Sequence, residues 1–150
     1  MRRAAGIVAV ALLLAGCGSK HVSPSAQRAQ VRTTVVSLLR DFAAGDGQAV
    51  CARLTTSGRT SLIKTVGPEL QNFGITRCDQ VVHVTAVQLT ARIRGALRHA
   101  TVGAVALQGS TATVEWSQIK SASGDLGAFF GHPRPLTLVA VKGGWLVSAL

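Results

Sequence analysis

Apolar residues recur at helical spacing between residues 26 and 44. They are Val31, Val35, Leu38, Leu39 and Phe42, and polar residues Arg32, Ser37, Arg40 and Asp41 take the other side. A stripe of this period is typical of an amphipathic helix that buries one face. The pattern therefore predicts a helix over residues 26–44, ended by Gly45.

Two shorter helices are predicted after Gly45. Asp46 is suited to cap the first of them, whose buried face holds Val50, Cys51 and Leu54. The next follows Ser57 and stops at Gly67-Pro68. Its inward residues are Leu62, Ile63 and Val66. Residues 67–77 are predicted as a loop with three apolar residues pointing inward: Leu70, Phe73 and Ile75.

Residues 79–98 fit more than one structure. With Asp79 as a cap, five apolar residues share one helical face: Val82, Ala86, Leu89, Ile93 and Leu97. The β-branched residues between 81 and 87 suit a strand equally well, and Gly95 weakens a helix. One helix, a broken helix and a partial strand all remain open for this segment.

The pattern changes to alternation after His99. Residues 101–108 and 111–119 are predicted as strands joined by a Gly109-Ser110 hairpin turn, with Ala112, Val114 and Trp116 facing the core. After a Gly-rich loop over 120–135, strands over 136–141 and 145–150 flank the turn Gly143-Gly144. Helices followed by an antiparallel meander predict one α+β domain over residues 26–150, with the helices on one face of the sheet.

The start of the chain has the pattern of an export signal. Arg2-Arg3 precede an apolar run from Ala4 to Leu14, which leads into small residues. About a dozen apolar residues are too few to span a bilayer as a helix. The stretch therefore predicts a secretory signal over residues 1–16 that is removed from the mature protein.

The residues Leu14-Ala15-Gly16-Cys17 resemble the lipobox of bacterial lipoproteins. The resemblance implies cleavage between Gly16 and Cys17 and a diacylglycerol on the Cys17 thiol, with acyl chains of the palmitate type. Two or more acyl chains suffice for stable anchoring. The expected location is the extracytoplasmic side of the cell membrane, with residues 17–25 as a lipidated tether. The alternative is an ordinary signal peptide with a chance cysteine.

The charge of the chain is strongly basic but scattered. Of 16 basic residues, 14 remain once Arg2 and Arg3 are removed, against 6 acidic ones, for a net charge of +8. Scattered bases with few aromatic residues argue against a nucleic-acid groove. Attraction to anionic headgroups or wall polymers and a plain solvated surface are equally compatible with this distribution.

The two remaining cysteines are Cys51 and Cys78. In an exported protein oxidation is the default, so they are predicted to form a disulfide. A reactive thiol pair is the alternative, but there is no Cys-x-x-Cys spacing and no histidine beside either cysteine.

Several of these features together resemble the small exported lipoproteins of the nuclear transport factor 2-like superfamily. They are the first helix ending in Gly45-Asp46-Gly47, the two cysteines, the stretch 110–114 and the closing Gly143-Gly144-Trp145-Leu146-Val147-Ser148. The resemblance implies a cone, in which a curved antiparallel sheet wraps the long helix around a pocket. It also implies a homodimer through the open face of the sheet as one mode of association.

Catalytic chemistry finds little support among the residues. Ketosteroid isomerase, which shares this fold class, needs an Asp base with a Tyr and a protonated Asp, and this chain has no tyrosine. His83 is the remaining candidate for a general base, against the plainer interpretation of a partly buried or surface histidine on a helix. The histidines are too far apart for a metal site, and no nucleophile or phosphate-loop motif is present. No metal and no cofactor are therefore expected.

The sequence thus favours a non-catalytic lipoprotein that binds a small apolar ligand or an envelope protein. Trp116 and Trp145 are candidates to line the pocket, and Phe129 and Phe130 to cover it. The plainer interpretation makes the tryptophans core residues and the phenylalanines a plug. The alternatives are a small lyase or isomerase acting on an apolar substrate, and a structural or interaction domain without a cavity.

Overall fold

The computed structural model describes residues 22–122, 126–129 and 134–150. Within them, five helices precede the first strand and a short sixth helix lies between the fourth and fifth strands, which agrees with the predicted α+β class. The helices are α1 (Pro24–Ala44), α2 (Gly47–Ala52), α3 (Thr56–Val66), α4 (Cys78–Gln88), α5 (Ala91–Arg98) and α6 (Leu126–Phe129). The strands are β1 (Thr101–Val102), β2 (Ala106–Gln108), β3 (Thr111–Val114), β4 (Ile119–Lys120), β5 (Leu136–Val141) and β6 (Gly144–Ala149).

Helix α1 is the long amphipathic helix that the pattern predicts, beginning two residues earlier than expected. Ser23 caps it by accepting a hydrogen bond of 3.3 Å from the Ala26 N–H, and Pro24 takes the first helical position. Gly45 ends it in the left-handed region, at φ 72°. All five residues of the predicted stripe are buried.

The next two helices are capped by short polar side chains. Asp46 caps α2 as predicted, accepting from the Ala49 N–H at 3.0 Å. Helix α3 begins before Ser57, because Thr55 is its cap and accepts from the Gly58 N–H at 3.1 Å. Gly67 ends α3 where the sequence predicts.

The expectation that Phe73 points toward the core is wrong, because its side chain is 80% exposed. Residues Leu70–Phe73 form a turn of 3₁₀ helix, and Gly74 reverses the chain in the left-handed region at φ 74°. The Ile75 N–H then donates to the Leu70 carbonyl at 3.1 Å. This closure brings Ile75 back beside Leu70 and leaves Phe73 at the tip of the turn.

Residues 79–98 form a broken helix, so the strand interpretation of this segment is wrong. The break between α4 and α5 lies at Leu89 and Thr90, and Thr90 caps α5 by accepting from the Ile93 N–H at 3.3 Å. Asp79 is not a cap, because α4 begins at Cys78 and Asp79 lies in its first turn. There its negative charge still complements the positive end of the helix dipole.

The main sheet is antiparallel with strand order β2-β3-β5-β6, and β1 pairs separately with β4. The predicted strand over 111–119 ends early, because Trp116–Gln118 form a 3₁₀ turn. Ala112, Val114 and Trp116 are nevertheless buried as expected. Gly109 turns the β2–β3 hairpin with φ 59°.

The helices pack against the sheet through α1 and α3. Helix α1 contacts β6, β1 and β2, while α3 lies along β6. The segment just before α3 pairs with the free side of β6, where the Thr55 N–H donates to the Val147 carbonyl and the Val147 N–H to the Arg53 carbonyl, both at 2.9 Å. Ser57 and Ser61 then donate to the carbonyls of Ser148 and Leu150.

Two glycines allow helices to approach backbone directly. A Cβ on Gly58 would overlap the Val147 carbonyl oxygen, and one on Gly47 would lie 2.7 Å from the Asp79 Cα. Both glycines are buried. Gly58 allows α3 to pack closely on β6, and Gly47 allows α2 to pack closely on α4. A larger residue at either position would separate the two elements.

Candidate functional site

The two predicted pocket tryptophans lie in the core. Trp116 and Trp145 are 8% and 6% exposed, and the Trp116 Nε1–H donates to the Arg134 carbonyl at 3.1 Å. Trp116 borders an apolar void of about 20 Å³ beneath α1. That void has room for about one water molecule, whereas pockets for small ligands measure about 300–1,000 Å³.

The predicted lid lies outside the described residues. Phe130 is not among them, and of Phe129 only the backbone in α6 is described. Cys17, the predicted site of lipid attachment, and the predicted signal over residues 1–16 also lie outside the described part. Within that part, no helix combines the length and the apolar character that crossing a membrane requires.

Open space is found instead on the outer face of the helices, as three adjoining clefts. The central cleft, of about 450 Å³, is lined by Gly45–Gln48, by Ile75, and by the α4 residues Asp79, Gln80, His83 and Val84. It shares Gln48 and Asp79 with the disulfide cleft, of about 520 Å³. It shares Gly45 and His83 with the basic cleft, of about 190 Å³. We call this continuous surface the helical groove.

The floor of the helical groove is rigid, because α2 and α4 are joined covalently. Cys51 and Cys78 form the disulfide that the sequence predicts, with their Cα atoms 6.2 Å apart. The close approach of Gly47 to the Asp79 backbone holds the same two helices together at the next turn. Such a floor keeps the groove in one shape before anything binds.

The two carboxylates of the groove are already engaged. Asp46 caps α2, and Asp79 accepts two hydrogen bonds from Arg77, at 3.1 Å from Nε and 2.8 Å from Nη2. These bonds lower the pKa of the Asp79 carboxyl below its usual value near 3.8. In the groove, Asp46 thus contacts the start of α2, and Asp79 forms an ion pair with Arg77.

Arg77→Ala should raise the pKa of Asp79 back toward 3.8, because the largest cause of its depression is lost. A depressed carboxyl pKa stabilises the fold above the unfolded-state pKa, and this contribution disappears as the pH falls through the folded-state pKa. The variant should therefore lose less stability than the wild type as the pH falls below about 4. Carboxyl ¹³C NMR titration measures the pKa, and an unchanged Asp79 value would show that the ion pair does not form in solution.

His83 lies at the junction of the central and basic clefts. His83 is exposed, and its side chain makes no hydrogen bond within the described residues. Asp79, four residues earlier, is bound to Arg77 and does not orient the imidazole. A general base of the triad type has an orienting partner for its second nitrogen, and the described residues place none here.

Arginines dominate the far end of the groove. Arg94 and Arg98 lie on one face of α5, and both line the basic cleft beside the last residues of α1. Arg94 Nη2 donates to the Ala86 and Leu89 carbonyls at 3.1 and 3.4 Å, at the end of α4.

Within the described residues, no cluster of three or more histidines, cysteines or acids is placed to bind a metal ion.

The helical groove was missed by reasoning from the sequence. Its walls come from segments about 30 to 50 residues apart, and no short motif marks them. The one local signal is Gly45-Asp46-Gly47, where two glycines flank a cap residue. The pattern predicts only a helix end at Gly45 and a cap at Asp46, whereas Gly47 also permits the contact of α2 with α4.

Comparisons with protein families, with curated protein sequences and with solved structures return no significant match to this chain.

Proposed function

We propose that this protein is a lipid-anchored lipoprotein on the extracytoplasmic side of the cell membrane. Its domain binds an envelope partner through the helical groove and does not catalyse a reaction. The observation that carries this proposal is the contrast between the interior and the surface. Inside, the void beneath α1 measures about 20 Å³, whereas the groove offers two open clefts of about 450 and 520 Å³.

The filled interior weighs against the small apolar ligand as the bound species. Buried side chains from α1, the sheet and both tryptophans fill the space where a ligand would lie. This favours the alternative of an interaction domain without an internal cavity. A partner bound on the surface needs a rigid patch with an apolar anchor. Val87, which lines the basic cleft, is exposed, and so is Phe73 on the turn between α3 and α4.

The proposal includes the nuclear transport factor 2-like cone as the finer description of the fold. What supports it is the order of helices before an antiparallel meander, and the packing of α1 across the sheet. The lipid anchor is supported by the lipobox alone. The disulfide between Cys51 and Cys78 suits the oxidising compartment that an exported protein reaches.

Photo-crosslinking in intact cells tests the groove and the anchor together. A photoreactive residue replaces Gln80, which is exposed in the central cleft, and in a matched variant replaces Lys142, which is exposed in the β5–β6 turn outside the three clefts. We expect a discrete crosslinked product from position 80 and none from position 142. The Cys17→Ala version of the position-80 protein should leave the membrane fraction, incorporate no fatty acid and lose this product.

Two results would contradict the proposal. Equal crosslinking from positions 80 and 142 would show that the groove is not the binding surface. Fatty-acid labelling and membrane retention of Cys17→Ala would show that the chain is not anchored through Cys17. A product of twice the protein's mass would identify a second copy as the partner.

A further inference from the structure

The basic cleft gathers cationic side chains without a neutralising acid. It lies between the last residues of α1, helix α4 and helix α5, and its polar side chains are His83, Arg94 and Arg98. The ion pairs of the described residues join Arg53 to Asp41 and Arg77 to Asp79. Neither arginine of the cleft is therefore paired with a carboxylate in the described part of the chain.

Arg94 is held in place with its charge uncompensated. Its Nη2 group is fixed by the Ala86 and Leu89 carbonyls, at 3.1 and 3.4 Å, and its Nε is buried without a hydrogen-bond partner. The side chain is half-buried. A charge in partly desolvated surroundings acts on its neighbours more strongly than one in open water. The cleft is therefore positive before any ligand arrives.

We propose that the basic cleft binds a phosphate group through Arg94, Arg98 and His83. Guanidinium groups match the geometry of phosphate oxygens and bind them with charge-assisted hydrogen bonds, and an imidazole N–H adds a further donor. The volume of about 190 Å³ admits a phosphate with a small substituent such as glycerol. It is below the range of sites that enclose larger ligands.

The position of the cleft favours a soluble source for this phosphate. Helix α1 has 21 residues and therefore spans about 30 Å, with the basic cleft at its Gly45 end. The lipid would be attached before the opposite end, at Pro24, if the proposed anchor is correct. The choice of a soluble phosphate therefore rests on the proposed function, whereas the proposal that the basic cleft binds phosphate does not. A phosphate ester in solution or in a wall polymer reaches the cleft without the protein lying flat on the membrane.

The test is a titration of the full chain, purified in a neutral detergent, with glycerol phosphate at constant ionic strength. The signals followed are the arginine Nε–Hε and histidine ring resonances in NMR spectra. We expect saturable shifts at Arg94, Arg98 and His83. Arg98→Ala should weaken binding at least tenfold. It should not change the melting temperature, because Arg98 is exposed at the end of α5.

Arg28→Ala is the matched control, because it removes the same charge from an exposed position near the start of α1. Its binding should change less than twofold. The proposed site would be overturned if both variants weakened glycerol phosphate binding equally, or if chloride caused the same resonance shifts. Either result would mean that the anion only screens the positive charge of the whole protein. The titration is repeated in nanodiscs of phosphatidylglycerol, where we expect an unchanged affinity. An affinity tenfold lower there would overturn the soluble source, because lipid headgroups would then occupy the cleft.

Discussion

Replacing Cys51 and Cys78 together with alanine should lower the free energy of unfolding by about 3.5 kcal/mol. The disulfide closes a loop with a sequence separation of 27 residues. In the chain-entropy model, a loop of that length removes about this much conformational freedom from the unfolded chain. Because both cysteines are half-buried at the edge of the core, the loss of side-chain packing adds little.

Thermal and urea unfolding of the oxidised protein and the double variant measure this difference. For a domain of this size, the melting temperature should fall by roughly 10 °C. Adding a reductant should shift the wild type to the position of the variant and leave the variant itself unchanged. A wild type that melts at the same temperature with and without reductant would show that the bridge does not stabilise the fold.

Gly58→Ala should destabilise the protein by about 2–3 kcal/mol, although alanine favours helices over glycine. The added Cβ would overlap the Val147 carbonyl oxygen and lie 3.1 Å from its carbon. That carbonyl cannot move freely, because it accepts the 2.9 Å hydrogen bond from Thr55 and belongs to β6. Helix α3 must therefore shift away from the sheet.

Gly95→Ala provides the matched control for this prediction. Gly95 also lies inside a helix, α5, but a Cβ there meets nothing within 4 Å. The same substitution should then raise the free energy of unfolding by roughly 0.5–1 kcal/mol, because alanine favours the helix and gives the unfolded chain less conformational freedom than glycine. Urea unfolding of the two variants should give shifts of opposite sign. Shifts of the same sign would mean that α3 does not approach β6 as closely as described.

The sequence predicts those elements whose signals are local. Helix α1 has a long stripe and a glycine at its end, and strand β5 matches the predicted bounds because Gly143 and a proline-containing loop delimit it. The sequence does not locate the break at Leu89 and Thr90, because neither glycine nor proline marks it. The available signal was Thr90 itself, a good cap placed before a helical stretch.

The groove could not be predicted in the same way, because it depends on contacts between distant segments. Gly47 touches Asp79, and Phe73 is exposed through the turn that Gly74 closes. In a short loop the apolar residues do not recur at a regular spacing, so the sequence does not show which way their side chains point. Hydrophobicity alone predicts that Phe73 is buried. The backbone of the turn at residues 70–74 instead places its side chain in solvent.

The pairing of the segment before α3 with β6 also bears on how the protein behaves at high local concentration. An unpaired outer strand is a template on which a second chain can add its own strand, the first step of fibre formation. Here the Arg53 and Thr55 backbone takes that place on β6, and the other outer strand, β2, has only three residues. The lipid anchor that we propose would bring copies of this protein together far more often than in dilute solution. The covered edge would then keep neighbouring domains from adding strands to one another.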